Sequence, residues 1–95
     1  MKKIILPIIL SFISVLAVSQ NVGINSTGAA PNTSAILDVD ATNKGLLVPR
    51  VNLLNTTDIT TIVSPATSLL VYNTNATVTG VGANGVGYYY FDGFS

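Results

Sequence analysis

The sequence contains no cysteine, histidine, glutamate or tryptophan. Without thiols there is no disulfide framework and no thiol nucleophile. Without imidazole there is no histidine acid–base chemistry and no ordinary zinc or haem site. Charge is sparse too, at 8% of 95 residues, with Lys2, Lys3, Lys44 and Arg50 set against Asp38, Asp40, Asp58 and Asp92. Beyond residue 19, two cations stand against four carboxylates, a net of −2. Such a chain cannot neutralise a row of phosphates, so nucleic acid is not an expected partner. These absences argue against an enzyme, and no cofactor or metal is expected.

The beginning of the chain carries a different message. Lys2 and Lys3 give a positive start, and residues 4–18 are apolar apart from Pro7, Ser11 and Ser14. That run is shorter than the ~20 residues that span a bilayer as a helix. It closes on Ala17, Val18 and Ser19, with small residues at the two positions a signal peptidase reads. The pattern predicts a signal peptide over 1–19 and a module over 20–95, with no membrane span once the leader is gone. No cysteine follows the apolar run, which excludes a lipoprotein anchor. Export without disulfides suits a bacterium better than a small secreted eukaryotic domain.

From residue 20 onward, Asn, Thr and Ser make up about a third of the chain. Thr is β-branched and Asn tolerates turn conformations, so the composition favours strands and turns over helix. A short β-like start is expected at 20–25, then a loop. In 35–41, Leu37 and Val39 alternate with Ile36, Asp38 and Asp40, the signature of a half-buried strand. Residues 45–49 read as an apolar strand stopped by Pro49, which has no ladder donor. Further strands are expected at 68–73 and 87–91, with a shorter one at 77–81. The single helical stretch is 56–63, where Ile59, Ile62 and Val63 fall at helical spacing, Asp58 sits in the first turn and Pro65 follows. The fold class is therefore mainly β, short strands and hairpins with at most one short helix. Asp92-Gly93 is a hairpin signal with only Phe94 and Ser95 after it, so the module reads as cut short at its C-terminal end.

The order of these pieces resembles a recurrent N-terminal segment of secreted and surface proteins of Gram-negative bacteria, related to tail-fibre-like proteins. The matching parts are residues 20–24, 37–39, 44–50, 64–67, 69–74 and 87–93. The resemblance implies a secreted or outer-surface location and a place in a larger fibrous or trimeric assembly. Its partner would be further copies of itself, as a homo-oligomer and specifically a trimer, or a downstream chain. In such proteins a Trp-containing strand usually follows the aromatic turn, and this sequence lacks it.

Several residue groups invite a sharper function. Asp38 and Asp40 suggest calcium, but Asn43 and Pro49 stand where such a loop wants glycine and a carboxylate; two exposed carboxylates are the better reading. Lys44 and Arg50 read as surface charges. Tyr88, Tyr89, Tyr90 and Phe91, with Tyr72 and Phe94, form an aromatic set. Strand alternation places Tyr88 and Tyr90 on one face and Tyr89 and Phe91 on the other. One face is expected to fill a core or subunit contact. The other supports an alternative, an adhesin-like module that contacts a glycan or surface through its rings. Asn25, Asn32, Asn55 and Asn75 each open an Asn-x-Ser/Thr triplet, which in so Asn- and Thr-rich a chain carries no assigned role.

A module this small buries only about 60–65% of the surface its unfolded chain exposes, and this one has no disulfide to compensate. It is therefore not expected to stand alone as a monomer. The leader gives the first test. Mass spectrometry of exported material should show an N-terminus at Gln20; an intact Met1 in that fraction would refute the cleavage.

Overall fold

The computed structural model describes residues 20–93; the leader expected at 1–19, and Phe94, lie outside the described residues. The chain divides into two compact units that meet at Gly45 and Leu46.

The first unit is a two-stranded parallel sheet. Strand β1 (Val22–Ile24) pairs with β2 (Leu37–Val39) in the register Val22–Leu37, Gly23–Asp38 and Ile24–Val39. Bonds from Val22 N–H to the Ile36 carbonyl (2.8 Å) and from Asp40 N–H to the Ile24 carbonyl (2.9 Å) extend the ladder. Parallel neighbours need a long connection, and residues 25–36 supply it without a helix. Asn25 closes one end, its Oδ1 accepting the N–H groups of Thr27, Gly28 and Ala29. Asn32 closes the other, accepting Ser34 N–H at 2.9 Å and the Ser34 hydroxyl at 2.6 Å.

The second unit is a three-stranded sheet in the order β3-β4-β5. Strand β4 (Leu70–Asn73) lies in the centre, parallel to β3 (Arg50–Val51) and antiparallel to β5 (Gly87–Tyr90). The strand expected at 45–49 is displaced past its proline. Pro49 has no N–H to give but its carbonyl accepts Tyr72 N–H at 3.0 Å, so the proline opens the ladder instead of ending it. The expected strand at 77–81 shrinks to one bridge, Thr79 with Asn55.

What holds this unit together is a buried side chain rather than an apolar core. Val71 and Val78 are the buried hydrophobic residues, whereas Asn73 is 0% exposed. Its carboxamide makes every bond it can make. Oδ1 accepts the N–H groups of Leu53 and Asn75, and Nδ2 donates to the carbonyls of Asn75 and Gly85, all at 3.0 Å. Asn75 adds a second grip on the same neighbour, with Nδ2 donating to the Leu53 carbonyl at 2.6 Å. Both backbone groups of Leu53 are thus held by side chains. The β3–β4 pairing continues past Val51 through two asparagines.

Residues 56–63 form turns, and there is no helix among the described residues. The reason lies in where their amides go. Thr56 N–H bonds to the Thr79 carbonyl and Asp58 N–H to the Asn55 carbonyl. Thr57 N–H bonds to Asn55 Oδ1, and the N–H groups of Thr60 and Thr61 bond to Asp58 Oδ1. The amides of Thr60 and Thr61 are donors that a helix over 56–63 would use internally, and the Asp58 carboxylate holds both, as short polar residues tend to do. Thr56 also fixes a glycine. Gly80 sits at φ +111°, and a Cβ there would collide with the Thr56 side chain and come within 3.2 Å of its N atom.

Asn-x-Ser/Thr is therefore a structural unit here. At Asn25, Asn32, Asn55 and Asn75 the Oδ1 atom accepts both the N–H and the hydroxyl of the residue two places on. Asp58 does the same with Thr60 at 2.9 and 3.0 Å. Asp58 reaches further, because Oδ2 accepts Leu54 N–H at 2.9 Å and the Thr61 hydroxyl at 2.5 Å. Desolvation favours the neutral acid, but the bonds from Leu54, Thr61 and Thr60 outweigh it and hold the carboxyl well below its ordinary range.

Two outcomes follow. Asn73→Asp exchanges two buried donors for an oxygen facing the Asn75 and Gly85 carbonyls. It should destabilise the protein by at least about 3 kcal/mol in denaturant titrations, whereas Asn43→Asp, on an exposed turn, should stay within about 0.5 kcal/mol. For Asp58, the folded pKa is depressed, so its contribution is complete above the unfolded value of 3.8 and is lost as the pH falls below it. Asp58→Asn, which keeps the Thr60 turn but not the Oδ2 bonds, should lower the denaturant midpoint at neutral pH and flatten its fall under acid. An unchanged acid limb would show that this carboxylate is not responsible.

Candidate functional site

Strand β5 divides its aromatic rings between two faces, and their surroundings differ sharply. Pairing of Leu70 with Tyr90, Tyr72 with Tyr88 and Arg50 with Tyr72 places these five residues on one face of the sheet. Tyr88 is 62% exposed and Tyr90 70% exposed. The rings of Tyr72 and Tyr88 meet edge to face, 5.1 Å between centroids at 82°, a contact worth about 0.5–1.5 kcal/mol beyond area. Arg50 lies at the far edge of this face, its Nη1 donating to the Val48 carbonyl at 3.1 Å. The result is an exposed aromatic surface with polar tips.

The opposite face is structural. Tyr89 is half-buried, and its hydroxyl accepts Asn84 N–H at 2.8 Å and donates to the Gly85 carbonyl at 2.9 Å. That carbonyl also accepts Asn73 Nδ2. Tyr89 therefore belongs to the asparagine network, with its hydroxyl fully engaged there. Phe91 continues the ladder, its N–H bonding to the Leu69 carbonyl and its carbonyl accepting Ser68 N–H. Beneath this face lies a cleft of about 50 Å³ bordered by Leu53, Ile62, Val71, Tyr89 and Phe91. Small-molecule sites run to roughly 300–1,000 Å³, so this one cannot enclose a sugar. A wider depression of about 520 Å³ lies between residues 81–86 and β5.

The remaining candidates are placed as follows. Asp38 uses Oδ2 to accept Asn32 N–H at 2.8 Å, which ties the loop to β2. Among the described residues no group of three or more potential metal ligands gathers. The four asparagine triplets, without a role on sequence grounds, prove to be the turn-forming units of the fold. The clue was present in the spacing, and Asp58-Ile59-Thr60 shares it. The abundance of Asn and Thr made it look like chance.

The larger feature is one that no single motif announces. Sixteen large hydrophobic or tyrosine side chains are exposed among the described residues, against two buried hydrophobic ones, Val71 and Val78. They include Leu46 at 60%, Leu47 at 77%, Val63 at 79% and Val81 at 82%. Scattered apolar side chains are normal on a surface, but an almost empty core beneath them is not. The hydrogen bonds lie inside each unit while most of the apolar area lies outside. A surface of this kind is built to be covered.

Comparison with known proteins bears on what covers it. Residues 23–95 match the family model described as a phage tail like trimerisation region. No curated protein and no solved structure matches the chain.

Proposed function

The chain belongs to the phage tail like trimerisation region family, and from that premise we propose that it is a trimer-forming structural module of an exported, fibre-like surface protein. The observation that carries this reading is the reversal of the usual apolar distribution, with sixteen large side chains exposed and two buried. Fully burying one Val, Leu or Ile contributes about 1.5–3 kcal/mol. These sixteen side chains are 37–82% exposed in a lone protomer, so a large part of that stabilisation is unused there, and three protomers recover it by covering one another. The rings of Tyr88 and Tyr90 are part of the surface so used, and Tyr89 and Phe91 hold their strand in place.

Export is supported by Lys2 and Lys3, the apolar run at 4–18 and the Ala17/Ser19 pair. Together with the absence of cysteine, these features favour bacterial export, and the resemblance to segments of Gram-negative secreted and surface proteins implies the outer surface or surroundings of such a cell. The role is mechanical rather than catalytic: the module sets the number of chains in the assembly and aligns them.

Sedimentation equilibrium of the full chain should give three times the protomer mass, and dilution should bring dissociation and loss of thermal stability together. A concentration-independent monomer that unfolds cooperatively would refute the trimer.

A further inference from the structure

The first unit carries an apolar face that its own strands and connecting loop leave open. In-register parallel pairing puts Val22 beside Leu37 and Ile24 beside Val39, all four on the same side of the β1–β2 sheet. They are 52%, 52%, 56% and 42% exposed, respectively. The other side is engaged by the connecting loop: a Cβ on Gly23 would lie 3.2 Å from the Pro31 ring, and Asn32 N–H bonds to the Asp38 carboxylate. Parallel sheets occur almost only with both faces covered, and two strands alone are at most marginally stable. One face has its cover and the other lacks it.

We propose that this aliphatic face lines the three-fold axis of the trimer, where two further copies of the same face close it. The inference rests on the trimer reading above and adds the contact that makes it. Three observations select this face and this occupant. It consists of four aliphatic side chains with no polar tip, unlike the tyrosine face of the second unit, so it fits a dry contact between protomers. Its register is level. Val22 and Leu37 stand at one height and Ile24 and Val39 at the next, so strands running along a three-fold axis stack two rings of side chains, each protomer giving two residues per ring. Finally, the trimerisation match over residues 23–95 takes in three of these four residues and makes further copies of the chain the occupant. Given the three copies that the family match implies, a three-sided prism with its apolar rows turned inward closes such a face.

The absence of cysteine makes the test clean. Single Ile24→Cys and Val39→Cys substitutions in the full chain place one thiol on the proposed axis, and Asn43→Cys places one on an exposed turn. Alkylation in the assembled protein should be at least about tenfold slower at 24 and 39 than at 43, because thiol reactivity follows access. In parallel, Ile24→Asp should raise the concentration at which half the trimer dissociates at least about tenfold, equivalent to about 1.4 kcal/mol, while Ile24→Val leaves it near the wild-type value. Equal alkylation rates at 24, 39 and 43 in a chain that still sediments as a trimer would overturn this contact and leave the trimer standing. An unmodified chain that sediments as a monomer would overturn both.

Discussion

The fully buried carboxamide of Asn73 is the constraint on which the second unit depends. It faces four backbone groups from three segments and satisfies all of them. An apolar residue there would leave those groups unpaired, and a charged one would set like partial charges against each other. The node fixes where β3 gives way to Leu53, how the chain turns after β4 and where Gly85 stands before β5. Tyr89 joins it through the Gly85 carbonyl, so the half-buried ring of the aromatic strand is positioned by an asparagine on the neighbouring strand. Polar networks of this kind give a unique geometry only when complete, and this one is complete.

Much of the fold was legible in the sequence, at the points where period and chemistry agreed. The alternation at 35–41 and 87–91 gave strands and their faces, including the separation of Tyr88 and Tyr90 from Tyr89 and Phe91. Two places misled for physical reasons. Pro49 was read as a terminator because it lacks a donor, yet at the first ladder position only its carbonyl is needed. The helical spacing of Ile59, Ile62 and Val63 was real, but spacing does not decide when Asp58 has already taken the amides of Thr60 and Thr61. The role of Asn73 could not be seen at all. Nothing in Tyr-Asn-Thr distinguishes a surface asparagine from a buried one until its partners at 53 and 85 are brought together in space.

The recurring Asn/Asp-x-Ser/Thr turn explains the composition as well as the connections. Each such turn is local, satisfies its own amide and hydroxyl, and asks for no apolar cover. A chain built from them crosses between parallel strands without a helix, and it can do so with few buried side chains. That economy leaves Val, Leu and Ile free to face outward, where the family's trimerisation role gives them a use. Local polar closure inside the protomer and the apolar closure between protomers proposed above are two sides of one arrangement.

This division of labour also sets how the two levels respond to temperature. Exposing polar groups lowers the heat capacity and exposing apolar groups raises it, so contacts dominated by one or the other follow differently curved stability profiles. Within a protomer the contacts are mainly polar, and its stability should vary gently with temperature. In the proposed trimer, covering the outer aliphatic surface would add a heat-capacity change of the apolar sign and would weaken on cooling, as hydrophobic association does. Chilling would then loosen the association of whole chains while leaving the asparagine-held turns inside each of them intact.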